Sequence, residues 1–138
     1  MSAPTILIVD DSRENADILR RYLELRGYAI RVAYNGGDAL ALFESVRPAL
    51  VLLDVLMPGR DGWEVCRAMR QHPHGAHARI VMLTGLGATR AREGMVLTGA
   101  DDVITKPIEL PELAECVRRN LGQDADVGAS PGSTPLGR

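Results

Sequence analysis

Four short apolar runs, none broken by a polar side chain, most limit what this chain can fold into. They are Ile6-Leu7-Ile8-Val9, Leu50-Val51-Leu52-Leu53, Ile80-Val81-Met82-Leu83 and the shorter Val103-Ile104. A strand with one face in water alternates apolar and polar residues. Unbroken runs of strand length mark strands covered on both faces, as in a parallel sheet. A fifth segment, Ala29 to Ala33, is interrupted by Arg31 and reads as an edge strand.

Helical patterns fill the gaps. Ile18, Leu19, Tyr22, Leu23 and Leu25 form one apolar stripe, between the N-cap candidate Ser12 and the stop Gly27. Ala39, Leu40, Leu42 and Phe43 form a shorter stripe that must end before Pro48. Asp61-Gly62-Trp63-Glu64 has capping-box spacing and opens a helix carrying Val65, Cys66 and Met69. A weaker helix spans Ala88 to Thr98, with Gly94 inside it and Gly99 ending it. Leu110, Leu113, Ala114, Val117 and Leu121 mark a final amphipathic helix. Strand and helix thus alternate five times in the sequence. Such alternation calls for an α/β domain, doubly wound, with helices on both faces of a parallel sheet.

One such domain is expected over residues 4–121. Residues 122–138 are rich in Gly, Ser, Pro and Asp without periodicity, and read as a disordered tail or linker. The chain of 138 residues is 46% hydrophobic and 25% charged, ordinary values for a globular domain. Its net charge of −2 argues against a direct nucleic-acid binder. An aromatic content of 4% leaves little for base stacking or a flavin pocket. No apolar run reaches the length of a membrane span, and the first residues lack a secretory pattern, so a cytoplasmic location is expected. Cys66 and Cys116 form no CxxC pair and read as reduced, helix-borne thiols.

Open parallel sheets bind ligands beyond the carboxyl ends of their strands. Asp10 and Asp11 follow the first run, and Asp54 follows Leu53. Thr84 follows Leu83, and Thr105-Lys106-Pro107 follows the last run. A single Asp after a strand is usually a turn or capping residue. Three carboxylates gathered in one cleft are different, because they repel unless a cation compensates them. No His or Cys stands at these strand ends. A hard, oxygen-seeking ion fits, and Mg2+ with its taste for one or two carboxylates plus phosphate oxygens fits best.

These residues carry a resemblance to a known family. Ile6-Leu7-Ile8-Val9-Asp10-Asp11, Leu52-Leu53-Asp54-Val55-Leu56-Met57-Pro58-Gly59-Arg60-Asp61-Gly62, Leu83-Thr84-Gly85 and Gly99-Ala100-Asp101-Asp102-Val103-Ile104-Thr105-Lys106-Pro107 follow in order. Together they resemble the receiver domains of two-component response regulators, the CheY-like superfamily. The resemblance implies a (βα)5 domain with a five-stranded parallel sheet of flavodoxin-like order 2-1-3-4-5. It implies that Asp54 accepts a phosphoryl group from a histidine kinase or a His-containing phosphotransfer protein. Asp11 would bind Mg2+ directly, Asp10 through water, and Asp54 and the Leu56 carbonyl would complete the protein ligands, with Mn2+ a possible substitute. Thr84 and Lys106 would contact the phosphoryl oxygens. Gly85, Val103 and Pro107 would belong to the switch region, with a cis Lys106–Pro107 bond. The output domain or target protein stays open.

The chain departs from the family pattern at several places. Many receivers carry Tyr or Phe where this chain has Val103, so the usual hydroxyl-to-ring coupling has no ring. Asp101, Asp102 and Glu112 fit part of a charged dimer face, but Cys116 replaces an expected Arg. In the family the side chains two residues after the acceptor Asp and two after the Thr flank the path of an attacking water. Here the resemblance puts Leu56 and Leu86 there, which predicts slow self-dephosphorylation. His72, His74 and His77 lie in a Pro/Gly segment and read as solvent-exposed rather than metal-binding, and Trp63 reads as half-buried packing. The leading reading is a phosphoacceptor switch rather than an enzyme. An alternative is a Mg2+-dependent phosphatase with an Asp nucleophile. It is disfavoured because Leu56, not a second Asp, stands two residues after Asp54. A flavin carrier of similar topology would have to place a phosphate against Asp10-Asp11.

Overall fold

The computed structural model describes residues 4–57, 59, 61–85 and 87–123. The tail read over 122–138 therefore lies outside the described residues, apart from Gly122 and Gln123. Five strands and five α-helices alternate: β1 Thr5–Val9, α1 Arg13–Leu25, β2 Ala29–Ala33, α2 Gly36–Val46, β3 Leu50–Asp54, α3 Gly62–Gln71, β4 Arg79–Thr84, α4 Ala88–Thr98, β5 Asp102–Thr105 and α5 Leu110–Asn120. A short 3-10 turn, Pro73–Ala76, follows α3. The sheet order is β2-β1-β3-β4-β5, and every pairing is parallel.

The unbroken apolar runs have the expected consequence. Leu7, Val9, Val51, Leu53, Ile80 and Met82 face one core with residues of α2 and α3. Ile6, Ile8, Leu50, Leu52, Val81 and Leu83 face the other with α1 and α5. Neighbouring residues of one strand enter opposite cores, so alternation is invisible in the sequence. β2 keeps its alternation because it is an edge.

The predicted caps form. The Ser12 side chain accepts the Asn15 amide, and the Asp61 side chain accepts the Glu64 amide. Gly27 and Gly99 follow α1 and α4 with φ of 96° and 85°, left-handed values that end a helix at little cost to glycine.

Two local expectations are corrected. In the α1 stripe only Leu19 and Leu23 are buried, joined by Ala16. Ile18 and Leu25 stand 54% and 87% exposed. Of this helix Ala16, Leu19 and Leu23 enter the core shared with α5, and Tyr22 packs at its margin. The histidines also differ from expectation. His72 and His74 are half-buried, packed on the Phe43 ring with centroids 5.7 and 5.3 Å away. His74 Nε2 lies 2.9 Å from the Pro48 carbonyl, so these rings fasten the 3-10 turn to α2. His77 is exposed, as expected.

Away from the strand ends that carry the carboxylates, Arg70 ties several segments together. Its guanidinium donates to Asp101 Oδ2 at 2.6 Å and to the Gly75, Ala78 and Gly99 carbonyls at 2.6, 2.7 and 2.8 Å. Asp101 is thus occupied within the chain, and so is Asp102, which accepts from Arg119 at 2.7 Å and Asn120 at 3.1 Å. Of the residues matched to the charged dimer face, two are spent internally and Glu112 is exposed. Cys116 is buried, and burial together with the Asp102 charge pushes its thiol up to about 12. Cys66 is buried as well and its thiol is raised by burial.

Candidate functional site

The carboxyl ends of β1, β3, β4 and β5 meet at one place. Parallel strands all point the same way, so residues that end separate runs in the sequence become neighbours. Asp10 and Asp54 are each 3% exposed, and Asp11 is exposed beside them. One carboxylate oxygen from each of the three lies within 4.8 Å of the others. This cluster of hard oxygen donors, without nitrogen or sulfur, could hold a divalent metal ion.

Backbone contacts fix each side chain. The Asp10 amide donates to the Ala33 carbonyl at 3.1 Å, and its Oδ1 accepts the Ser12 amide at 2.9 Å. The Val55 amide donates to the Leu83 carbonyl at 3.0 Å, which extends the β3–β4 contact just past Asp54. Lys106 donates its amide to the Thr84 carbonyl at 2.7 Å, and the Lys106–Pro107 bond is cis. The Lys106 ammonium then reaches Asp54 Oδ1 at 2.8 Å. The Leu56 amide donates to the same oxygen at 3.3 Å. Thr84 lies at the end of β4, 1% exposed. Gly85 follows it, exposed, with open space where a Cβ would be. Val103 sits lower on β5, half-buried against the core on the α3 side.

The electrostatics of the cluster favour a cation. Burial raises the pKa of Asp10, and the nearby Asp54 and Asp11 charges add to the rise, while the Ser12 amide and Lys106 oppose it. One ammonium stands against three carboxylates here. A bound divalent ion would restore the balance.

The structure brings Asp10, Asp11 and Asp54 together and sets Lys106 on Asp54, with Thr84 and Gly85 at the end of the neighbouring strand β4. Val103 stands apart, on the side toward α3. Some contributors were not anticipated. Gly62 packs so closely that a Cβ there would lie 2.2 Å from the Asp54 carbonyl oxygen, and its amide donates to the Val55 carbonyl at 2.7 Å. The Asp61-Gly62 pair after β3 was the available signal. Arg13 stacks on the Tyr34 ring, 4.0 Å from its centroid, above the ends of β1 and β2. A cavity of about 400 Å3 opens beside Asp10 and Lys106, walled by Ile18, Leu19, Ile108 and Leu110.

The chain belongs to the response regulator receiver domain family, whose model matches residues 6–118. It is similar to a protein assigned as a response regulator in Chloroflexus aurantiacus J-10-fl, at 37% identity and a TM-score of 0.82 over 88% of this chain and 100% of that one. The signal receiver domain of a signal transduction histidine kinase from Syntrophus aciditrophicus matches at 36% identity and a TM-score of 0.79, covering 97% and 98% of the two chains. A CheY-like receiver domain protein from Methanospirillum hungatei JF-1 matches at 30% identity and a TM-score of 0.81, covering 88% and 95%. Receiver domains are phosphoacceptor switches rather than conventional enzymes, and the family implies a histidine kinase or phosphotransfer partner. Among the described residues no helix is long and apolar enough to cross a membrane.

Proposed function

We propose that Asp54 receives a phosphoryl group from a phosphohistidine and that Mg2+, held by Asp10, Asp11, Asp54 and the Leu56 carbonyl, is needed for the transfer. The observation that carries this reading is the cluster of three carboxylates against the single Lys106 ammonium. When bound, the ion supplies positive charge to offset the oxygens of the transferring group. Phosphoryl transfer has a loose transition state, so positioning and charge do most of the work. An Asp54 oxygen forms its bond to phosphorus as the bond to the donor histidine nitrogen breaks. Lys106, already on Asp54, shifts to the phosphoryl oxygens, and the Thr84 hydroxyl donates to them. Gly85 leaves the approach open.

The ion's role has a direct test. Asp11→Asn removes the exposed anion of the cluster while keeping its size. Calorimetric titration of Mg2+ should show affinity weakened by about tenfold or more, corresponding to about 1.4 kcal/mol. Phosphate uptake from acetyl phosphate should fall in parallel. Unchanged Mg2+ affinity in this variant would overturn the ligand set. Uptake that persists in wild-type protein stripped with a chelator would overturn the need for the ion.

A further inference from the structure

The position where many receivers place a switching ring is Val103 here, so a route through a turning ring is not open to this chain. The first link starts at the acceptor's own backbone. Gly62 is pressed against the Asp54 carbonyl, and its amide holds the Val55 carbonyl at 2.7 Å. The next residue, Trp63, is the single tryptophan of the chain. Its ring lies on Gly94 in the middle of α4, so closely that a Cβ at Gly94 would come within 2.5 Å of it. A glycine inside a helix costs about 0.5–1 kcal/mol relative to alanine. Here it makes room for the ring.

The contact continues down α3. The Cys66 thiol donates to the Thr98 carbonyl at 3.6 Å, and Arg70 Nε donates to the Gly99 carbonyl at 2.8 Å. Trp63, Cys66 and Arg70 are spaced i, i+3, i+7, so they form one stripe along α3, set against Gly94, Thr98 and Gly99. The cysteine and arginine contacts lie toward the far end of α3. Trp63 is the member of the stripe next to the acceptor.

α4 is the helix most open to such an influence. Its N-cap is Gly87 without a side-chain cap, and Val96 and Leu97 are 83% and 74% exposed. Helices with few buried apolar contacts lie at the low end of local stability.

We infer that Trp63, seated on Gly94, relays the phosphorylation state of Asp54 to α4. The inference rests on the phosphoacceptor reading. Phosphorylation takes Asp54 Oδ1 away from the Leu56 amide, which now donates to it at 3.3 Å. The 54–57 backbone readjusts, Gly62 follows because nothing separates it from the Asp54 carbonyl, and Trp63 turns against Gly94. Close-packed interiors pass on such shifts rather than absorb them.

The test combines three readouts on the full chain with Mg2+ and acetyl phosphate: intact mass, tryptophan emission and hydrogen exchange of α4 amides. In wild type, phosphorylation should shift the Trp63 emission and change α4 exchange by about threefold or more. Trp63→Leu should take up phosphate to the same extent while α4 exchange no longer responds. Gly94→Ala, which keeps the tryptophan, should push the ring outward, red-shift its emission and blunt the α4 response. A phosphorylated Trp63→Leu or Gly94→Ala protein whose α4 responds as in wild type overturns the relay. So does a phosphorylated wild type with unaltered α4 exchange. No uptake by wild type would instead overturn the phosphoacceptor reading, and the relay with it.

Discussion

Arg70→Leu is expected to cost this fold about 2–4 kcal/mol and to lower its thermal midpoint by about 10 °C. The guanidinium joins Asp101 to the carbonyls of Gly75, Ala78 and Gly99, so one side chain fastens the 3-10 turn, the start of β4 and the end of α4. Breaking a fully buried ion pair typically costs about 3–5 kcal/mol, because the remaining partner is stranded. Here the two side chains are 20% and 22% exposed, so solvent screens part of that cost. Arg79, 3.6 Å from Asp101 Oδ1, and the Ile80 amide, 2.8 Å from Oδ2, keep part of the carboxylate's pairing, so the loss falls mainly on the three carbonyls. Leucine keeps the apolar stem contacts but satisfies none of the carbonyls. Arg70→Lys keeps the charge but lacks the planar fork, and should recover less than half of the loss. Urea unfolding of the three proteins checks this. A Leu variant within about 0.5 kcal/mol of wild type would show that Arg70 is a surface residue in energetic terms.

Leu56→Asn is expected to speed loss of the phosphoryl group about tenfold, a barrier lower by about 1.4 kcal/mol. Hydrolysis needs a water in line with the bond between phosphorus and the Asp54 oxygen. Leu56 follows the acceptor by two residues, and its side chain is 71% exposed at the mouth of the site. A leucine there excludes water from part of the approach and cannot orient what remains. Asparagine offers both a donor and an acceptor to hold the nucleophile. Its partner in the sequence argument, Leu86, lies outside the described residues, so Leu56 carries the prediction alone. Decay is followed on Phos-tag gels after the donor is removed. A rate within about twofold of wild type would mean that Leu56 does not gate the water.

The architecture was legible because its signals are local. Unbroken runs identified β1, β3 and β4, Gly99 marked the end of α4, and the Asp61 cap opened α3. The convergence of Asp10, Asp11 and Asp54 was legible for a topological reason: parallel strands bring their ends together. Contacts between segments far apart in sequence were not legible. Nothing in Gln71-His72-Pro73-His74 signals that two rings will pack on Phe43, because α2 and the turn meet only after two crossovers. Arg70 reads as one more helical cation until β4 and the α4–β5 link deliver its acceptors. Gly94 looked like a weak point of α4, and its use became visible only with the Trp63 ring against it. Ile18 was misplaced because periodicity gives the direction of an apolar stripe but not its width.

The central claim is that Asp54 takes up the phosphoryl group. It is tested most directly by intact mass spectrometry of wild type and Asp54→Ala, each incubated with Mg2+ and acetyl phosphate or phosphoramidate. The geometry of Asp54, buried among Asp10, Asp11 and Lys106, predicts one added phosphoryl group on wild type and none on the variant. An Asp54→Ala protein that gains phosphate as wild type does would contradict the assignment.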